Sequence, residues 1–187
     1  MTRIWAHLRA MVAVVALLVT LSGCYTASYK TASFTPPSKA LTGAAAAYVA
    51  VPDDGRYGDQ VYPGSGNDTA LAVLAEVSKH GRGILGTAHQ NHDTNIAKAR
   101  DAGAVYLFEP TILHWEHRRT EWSGKPNRIT LRMELYDTAT GKLITDAVLE
   151  SNSTWWTLGG DLPQDLLAKT IAPFVERVYA TDGAVAP

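Results

Sequence analysis

The sequence predicts an α/β domain: a mixed β-sheet with helices packed on it, in the order β-α-β-α-β-β-β-α. Three observations predict it. Apolar residues at spacings of three and four mark one helix near 67–80 and another after Asp161. Short apolar runs alternate with helical patterns in the first half of the chain, as they do in βα units. A strictly alternating run, "RITLRMELY" (128–136), then opens an antiparallel half.

Each element has a local cause. "AAAAYVAVP" (44–52) ends in a short apolar strand, and "YPGSGND" turns the chain into the first helix. Ala70, Leu71, Leu74 and Val77 define its apolar face. Lys79 and His80 suit the negative end of the helix dipole, and Gly81 can take a left-handed cap. "GILGTA" (83–88) is the second strand. Asp93 or Thr94 caps a short helix that runs to Ala102, and Gly103 ends it before "AVYLFEPTILHWEHR", the third strand. In 128–136, Ile129, Leu131, Met133 and Leu135 face inward between polar neighbours. Gly141 supplies the positive φ that a tight hairpin requires, and "LITDAVLESNS" returns. Asp161 caps a last helix whose apolar stripe is Leu166, Leu167, Ile171, Phe174, Val175 and Val178, with Pro173 expected to kink it.

Ahead of this domain lies an address. Arg3, His7 and Arg9 precede an uncharged apolar run from Ala10 to Leu21. A basic start and about a dozen apolar residues followed by small ones form the layout of a secretory signal peptide. A spanning helix needs about 20 apolar residues. Leu21-Ser22-Gly23-Cys24 is similar to a bacterial lipobox, in which the cysteine receives diacylglycerol and becomes the first mature residue. Cys24 is the only cysteine in the chain, so this reading leaves no thiol for a disulfide, a nucleophile or a thiolate metal site. Two or more acyl chains hold a protein stably, at about 0.8 kcal/mol per buried methylene. Tyr25, not Asp, follows the cysteine, which by the usual sorting rule favours the periplasmic face of the outer membrane.

The expected organisation is a signal peptide at 1–23, lipidated Cys24 with a flexible tether over 24–43, a globular domain at 44–180 and a tail at 181–187. The segment "YTASYKTASFTPPSKALTG" (25–43) shows neither helical nor strand period, and as a free coil it would span roughly 25 Å. Loss of Arg3 and Arg9 with the signal leaves 15 basic against 18 acidic residues. That balance gives no electrostatic case for nucleic acid, whose binders carry a basic patch.

Candidate chemistry is sparse. "HWEHRRTEW" (114–122) holds His114, Glu116, His117 and Glu121, a set that a metal-dependent or acid–base hydrolase could use. On a strand His114 and His117 point to opposite faces, so the plainer reading is the polar end of a hairpin strand. "HQNH" (89–92) lacks the third ligand that zinc wants. "YPGSGNDTA" (62–70) resembles a phosphate-cradling turn, but the Lys-Ser/Thr of a P-loop is missing. Nor is Ser65 in a nucleophile elbow, because Pro63 and Asn67 replace its glycines. No catalytic residue, metal or cofactor is expected. "HRRTEWSGKPN" (117–127) and "STWWTLGGD" (153–161) read instead as loops. Arg118, Arg119 and Trp122, extended by Trp155 or Trp156, are expected to form a partner-binding edge, since Trp and Arg are enriched among interface anchors.

Taken together, "VYPGSG", "HWEHRRTEWSGKPNRITLRMELYDTATGKLI" and "TWWTLGGDLPQDLL" resemble a family of bacterial lipoproteins known only as a domain of unknown function, over about 45–179. The resemblance implies no catalytic residues. More loosely, the strand–helix order is similar to periplasmic assembly domains: activator lipoproteins of peptidoglycan synthases, the curli-secretion lipoprotein and the amino-terminal domain of the Tol propeller protein. Fold alone does not fix function. The expectation is a membrane-anchored, non-enzymatic factor that binds an envelope protein or polymer. The hydrolase is the alternative.

Overall fold

The computed structural model describes residues 27–117, 126–153 and 162–180. The signal segment, Cys24, Arg118, Arg119, Glu121, Trp122, Trp155, Trp156, Asp161 and the tail at 181–187 lie outside the described residues. Within them the α/β class holds. The strands are β1 (Ser28–Phe34), β2 (Ala47–Val51), β3 (Arg56–Tyr57), β4 (Gln60–Val61), β5 (Gly83–His89), β6 (Tyr106–Glu116), β7 (Arg128–Asp137) and β8 (Leu143–Asn152). The helices are α1 (Ser65–Val77), α2 (His92–Asp101) and α3 (Pro163–Tyr179).

Six strands form one sheet in the order β1-β8-β7-β6-β2-β5. β2 pairs in parallel with β5 and β6, and the β6, β7, β8 and β1 ladders are antiparallel. The two short strands β3 and β4 make a separate ribbon. Alternate residues of β2 enter two different cores. Ala47 and Val49 join α1, α3 and the inner face of β7 and β8, while Tyr48 and Ala50 join α2. So α1 and α3 cover one face of the sheet, and α2 covers the other over β2 and β6.

The alternation of 128–136 is met in full: Ile129, Leu131, Met133 and Leu135 are wholly buried. So is the stripe of α3, and its helix continues through Pro173 on the exposed side. Gly103 and Gly141 both take positive φ.

Several boundaries need correction. β1 falls inside the segment expected to be a flexible tether, and Leu41 beyond it is buried, with its N–H bonded to Val178 O at 2.9 Å. The cause is a bulge. Register with β8 shifts between Thr31 and Ser33, so Tyr29, Thr31 and Phe34 share the inner face although their numbers do not alternate. Phe34 meets Phe174 edge-on at 6.2 Å, and the Arg177 guanidinium lies over its ring at 3.9 Å. Leu71 is exposed and Val73 takes its place in the core. Asn91, not Asp93 or Thr94, caps α2 by accepting the Thr94 N–H at 2.9 Å. Leu162 stands at the α3 N-cap, and the Asp165 carboxylate accepts its N–H. Gly81 does not adopt a left-handed cap. A Cβ there would meet Gly43 O at 2.1 Å, so close chain approach is what requires the glycine.

Candidate functional site

The connection from β2 to β5 runs through α1 on one face, and that from β5 to β6 returns through α2 on the other. The carboxyl end of β2 is therefore a topological switch point, the place where open α/β sheets hold ligands. A cavity of about 610 Å³ opens there, lined among others by Asp53, Arg56, His89, His92, Glu109 and Tyr136.

Glu109 organises it. Its Oε2 lies 2.7 Å from His92 Nδ1, and its Oε1 accepts from Asn95 Nδ2 at 2.7 Å. Asn95 is buried on α2, and the His92 ring tilts against Tyr136 at 4.5 Å. Burial first, then the Glu134 and Glu109 charges, push the Tyr136 phenol up to about 12. It therefore stays protonated and donates to a carboxylate. Across the ladders Glu109 faces Glu134, and Glu134 faces Asp146, which sets three carboxylates in one row on the face opposite α1 and α3. Like charges placed directly opposite repel. The lining therefore offers hydrogen-bond donors, acceptors and one polarised imidazole. His89 pairs separately, 3.6 Å from Asp53 Oδ1, so "HQNH" does not converge on one point. Among the described residues no three His, Cys, Asp or Glu side chains are grouped to hold a metal ion.

The glycine turn before α1 is filled by the protein itself. Asp54 Oδ1 accepts the Gly66 N–H at 2.9 Å, where a phosphate would otherwise bind. Ser65 Oγ accepts from Gly55 N at 2.8 Å and donates to Tyr62 O at 2.6 Å. Ser65 is buried and engaged on both sides, so it is a structural hydroxyl.

The histidines of 114–117 are also held apart. Register between β6 and β7 shifts between Ile112 and His114, and this bulge carries Trp115 into the helix-side core beside Ile129. His114 and Glu116 then share the opposite face, with Nε2 and Oε2 3.3 Å apart, and the His114 ring meets Tyr57 edge-on. His117 lies past the strand end beside Tyr62, at a second cavity of about 450 Å³ that Trp115 and Gln164 also line.

At this end of the sheet two loop roots are tied together. Ser153 N donates to Asn127 O and Asn127 N donates to Ser153 Oγ, both at 2.9 Å. One root leads into 118–125 and the other into 154–161.

Comparison with known proteins now adds a family. A model described as a domain of unknown function, DUF4823, matches residues 40–178. The chain belongs to the DUF4823 family. The comparison with curated proteins gives no match. Among solved structures, the PelC dodecamer from Paraburkholderia phytofirmans aligns with a TM-score of 0.64 at 12% identity, covering 84% of this chain and 100% of that one. That likeness shows the fold. The lipoprotein GNA1162 from Neisseria meningitidis reaches a TM-score of 0.46 at 11% identity, over 72% of this chain and 97% of that one. The LpoB C-terminal domain from Salmonella enterica reaches 0.40 at 15%, over 58% and 82%.

The DUF4823 match begins after β1 and spans residues 118–125 and 154–161. Its cavity residues Glu109, Glu134 and Tyr136 escape sequence reasoning, because a carboxylate inside a strand looks like any polar position on a wet face. The register supplies what spacing does not, by bringing Glu109 opposite Glu134.

Proposed function

We propose that this DUF4823 protein is a lipid-anchored component of the cell envelope, held by Cys24 at the periplasmic face of the outer membrane. In this reading it binds an envelope protein or polymer rather than catalysing a reaction. One observation carries it: the pair Asn127 and Ser153 joins the roots of 118–125 and 154–161. In this reading Arg118, Arg119 and Trp122 act together with Trp155 and Trp156, because the two segments that hold them are rooted at that one tied pair. Trp and Arg are the side chains that most often anchor interfaces. Self-assembly is one form such binding takes in this fold, since PelC is a dodecamer.

Crosslinking in intact envelopes followed by affinity capture tests the reading. One abundant partner is expected, and it is lost when Arg118, Arg119 and Trp122 are replaced by Ala together. Capture that survives the triple substitution removes the loop from the interface. The anchor is tested apart. Cys24→Ser is expected to abolish incorporation of labelled fatty acid and to release the domain from the outer membrane; a variant that still floats with that membrane defeats the anchorage.

A further inference from the structure

We propose that the domain sits on the bilayer with one end of its sheet against the lipid headgroups, the end formed by Ser28, Glu116, Arg128 and Asn152. The hairpin at Gly141 then points away from the membrane. This rests on the acylation of Cys24 and extends it from anchorage to orientation.

β1 carries the argument. Ser28 pairs with Asn152, Asn152 with Arg128, and Arg128 with Glu116, so these four residues form one row across β1, β8, β7 and β6. Ala27 packs against the core immediately before that row. Cys24 lies three residues earlier, and three residues reach at most about 11 Å even when fully extended. The acylated residue is therefore confined close to this end of the sheet. β7 runs ten residues from Arg128 to Asp137, roughly 30 Å away at the usual rise per residue. A tether of nineteen residues would let the domain turn freely over the membrane. A three-residue link fixed to a six-stranded sheet does not.

The described surface at this end suits a headgroup layer. Arg128 is exposed, with its Nε donating to Asn152 Oδ1 at 2.9 Å, which leaves guanidinium donors for lipid phosphate. Leu162, 40% exposed at the start of α3, offers an aliphatic side chain to the acyl boundary, and Gln164 beside it is exposed. The loop roots at Asn127 and Ser153 open onto the same end, so the partner proposed for 118–125 and 154–161 is one met at the membrane surface, beside the docked end.

The test uses the full acylated protein in vesicles of phosphatidylethanolamine and phosphatidylglycerol that carry a nitroxide on the headgroup. Acylation consumes the Cys24 thiol, and the chain has no other cysteine. Gln164→Cys and Ala139→Cys thus each provide a single reactive thiol for a fluorophore, one at each end of the sheet. Vesicle flotation reports the anchor and the ratio of quenching reports orientation. Several-fold stronger quenching at position 164 than at 139 is expected. Protein that floats but is quenched equally at both positions keeps its anchor and overturns the orientation. Protein that does not float overturns the anchorage and this inference with it. An asymmetry that appears only after envelope proteins are added assigns the end to a protein partner and overturns docking on lipid.

Discussion

Asn127 and Ser153 hold each other twice across the β7–β8 end, through Ser153 N to Asn127 O and Asn127 N to Ser153 Oγ, each 2.9 Å. Both residues are buried. The first bond extends the ladder; the second depends on one hydroxyl. Ser153→Ala therefore removes the acceptor of a buried backbone N–H, a loss that costs about 1–3 kcal/mol. Equilibrium denaturation is expected to show that decrease while the sheet's circular dichroism is kept. An unchanged midpoint would mean that the hydroxyl does not tie the two roots.

The turn ahead of α1 makes a prediction with an unusual sign. Gly66 stands in the first turn of the helix, where Ala ordinarily stabilises by up to about 1 kcal/mol. Here a Cβ would lie 2.3 Å from Pro52 O, and the Gly66 N–H is already committed to Asp54 Oδ1. The main chain would have to move, so Gly66→Ala is expected to destabilise by about 1–3 kcal/mol, the usual cost of overpacking. Thermal unfolding of the variant checks the sign, and a stabilised variant would refute the close approach.

What could be read from the sequence divides along the bulges. β7 pairs without interruption through the core positions Ile129 to Leu135, and its alternation is plain in the letters. α3 buries one continuous stripe, equally plain. β1 and β6 each carry a shift of register that reverses the inward parity, so Phe34 and Trp115 arrive on faces that simple alternation denies them. A search for period two passes over such a strand, and residues 28–34 accordingly look like coil. Gly81 has the place of a cap because helices often end on glycine, whereas its true constraint is contact with Gly43, distant in sequence. The cavity was hidden for the same reason. Glu109, His92, Asn95 and Tyr136 come from three elements, and only the order of the strands brings them together.

Asp137 gives a dependence on pH. Its carboxylate accepts from Thr140 Oγ1 and Thr140 N, both at 2.7 Å, and these bonds hold its pKa below the usual 3.8. A pKa lowered by folding means stability that is present above the unfolded value and lost as pH falls through the folded one. Asp137→Asn is therefore expected to lower the melting temperature at neutral pH, with the gap to wild type closing below about pH 4 as the wild-type carboxyl protonates. A gap that stays constant from pH 7 to pH 3 would show that the charge of Asp137 contributes nothing to the turn.

Trp122 separates recognition from packing. It lies between Glu121 and Ser123 in the segment that β6 and β7 launch, and loops carried by a rigid sheet are where binding residues concentrate. An aromatic side chain that anchors a partner has truncation costs of about 2 kcal/mol or more at the interface and little effect on the free domain. One that folds back over the hairpin instead protects the fold, and truncating a buried aromatic typically costs about 3–5 kcal/mol of stability. Trp122→Ala is expected to leave the melting temperature within about a degree of wild type, since surface substitutions away from the core stay near ±0.5 kcal/mol. Capture of the crosslinked envelope partner is expected to fall at least tenfold. Measuring both on the same preparation decides the matter: a lowered melting temperature with capture intact makes Trp122 a structural cover and shifts the proposed edge to Arg118, Arg119 and the Trp155–Trp156 pair.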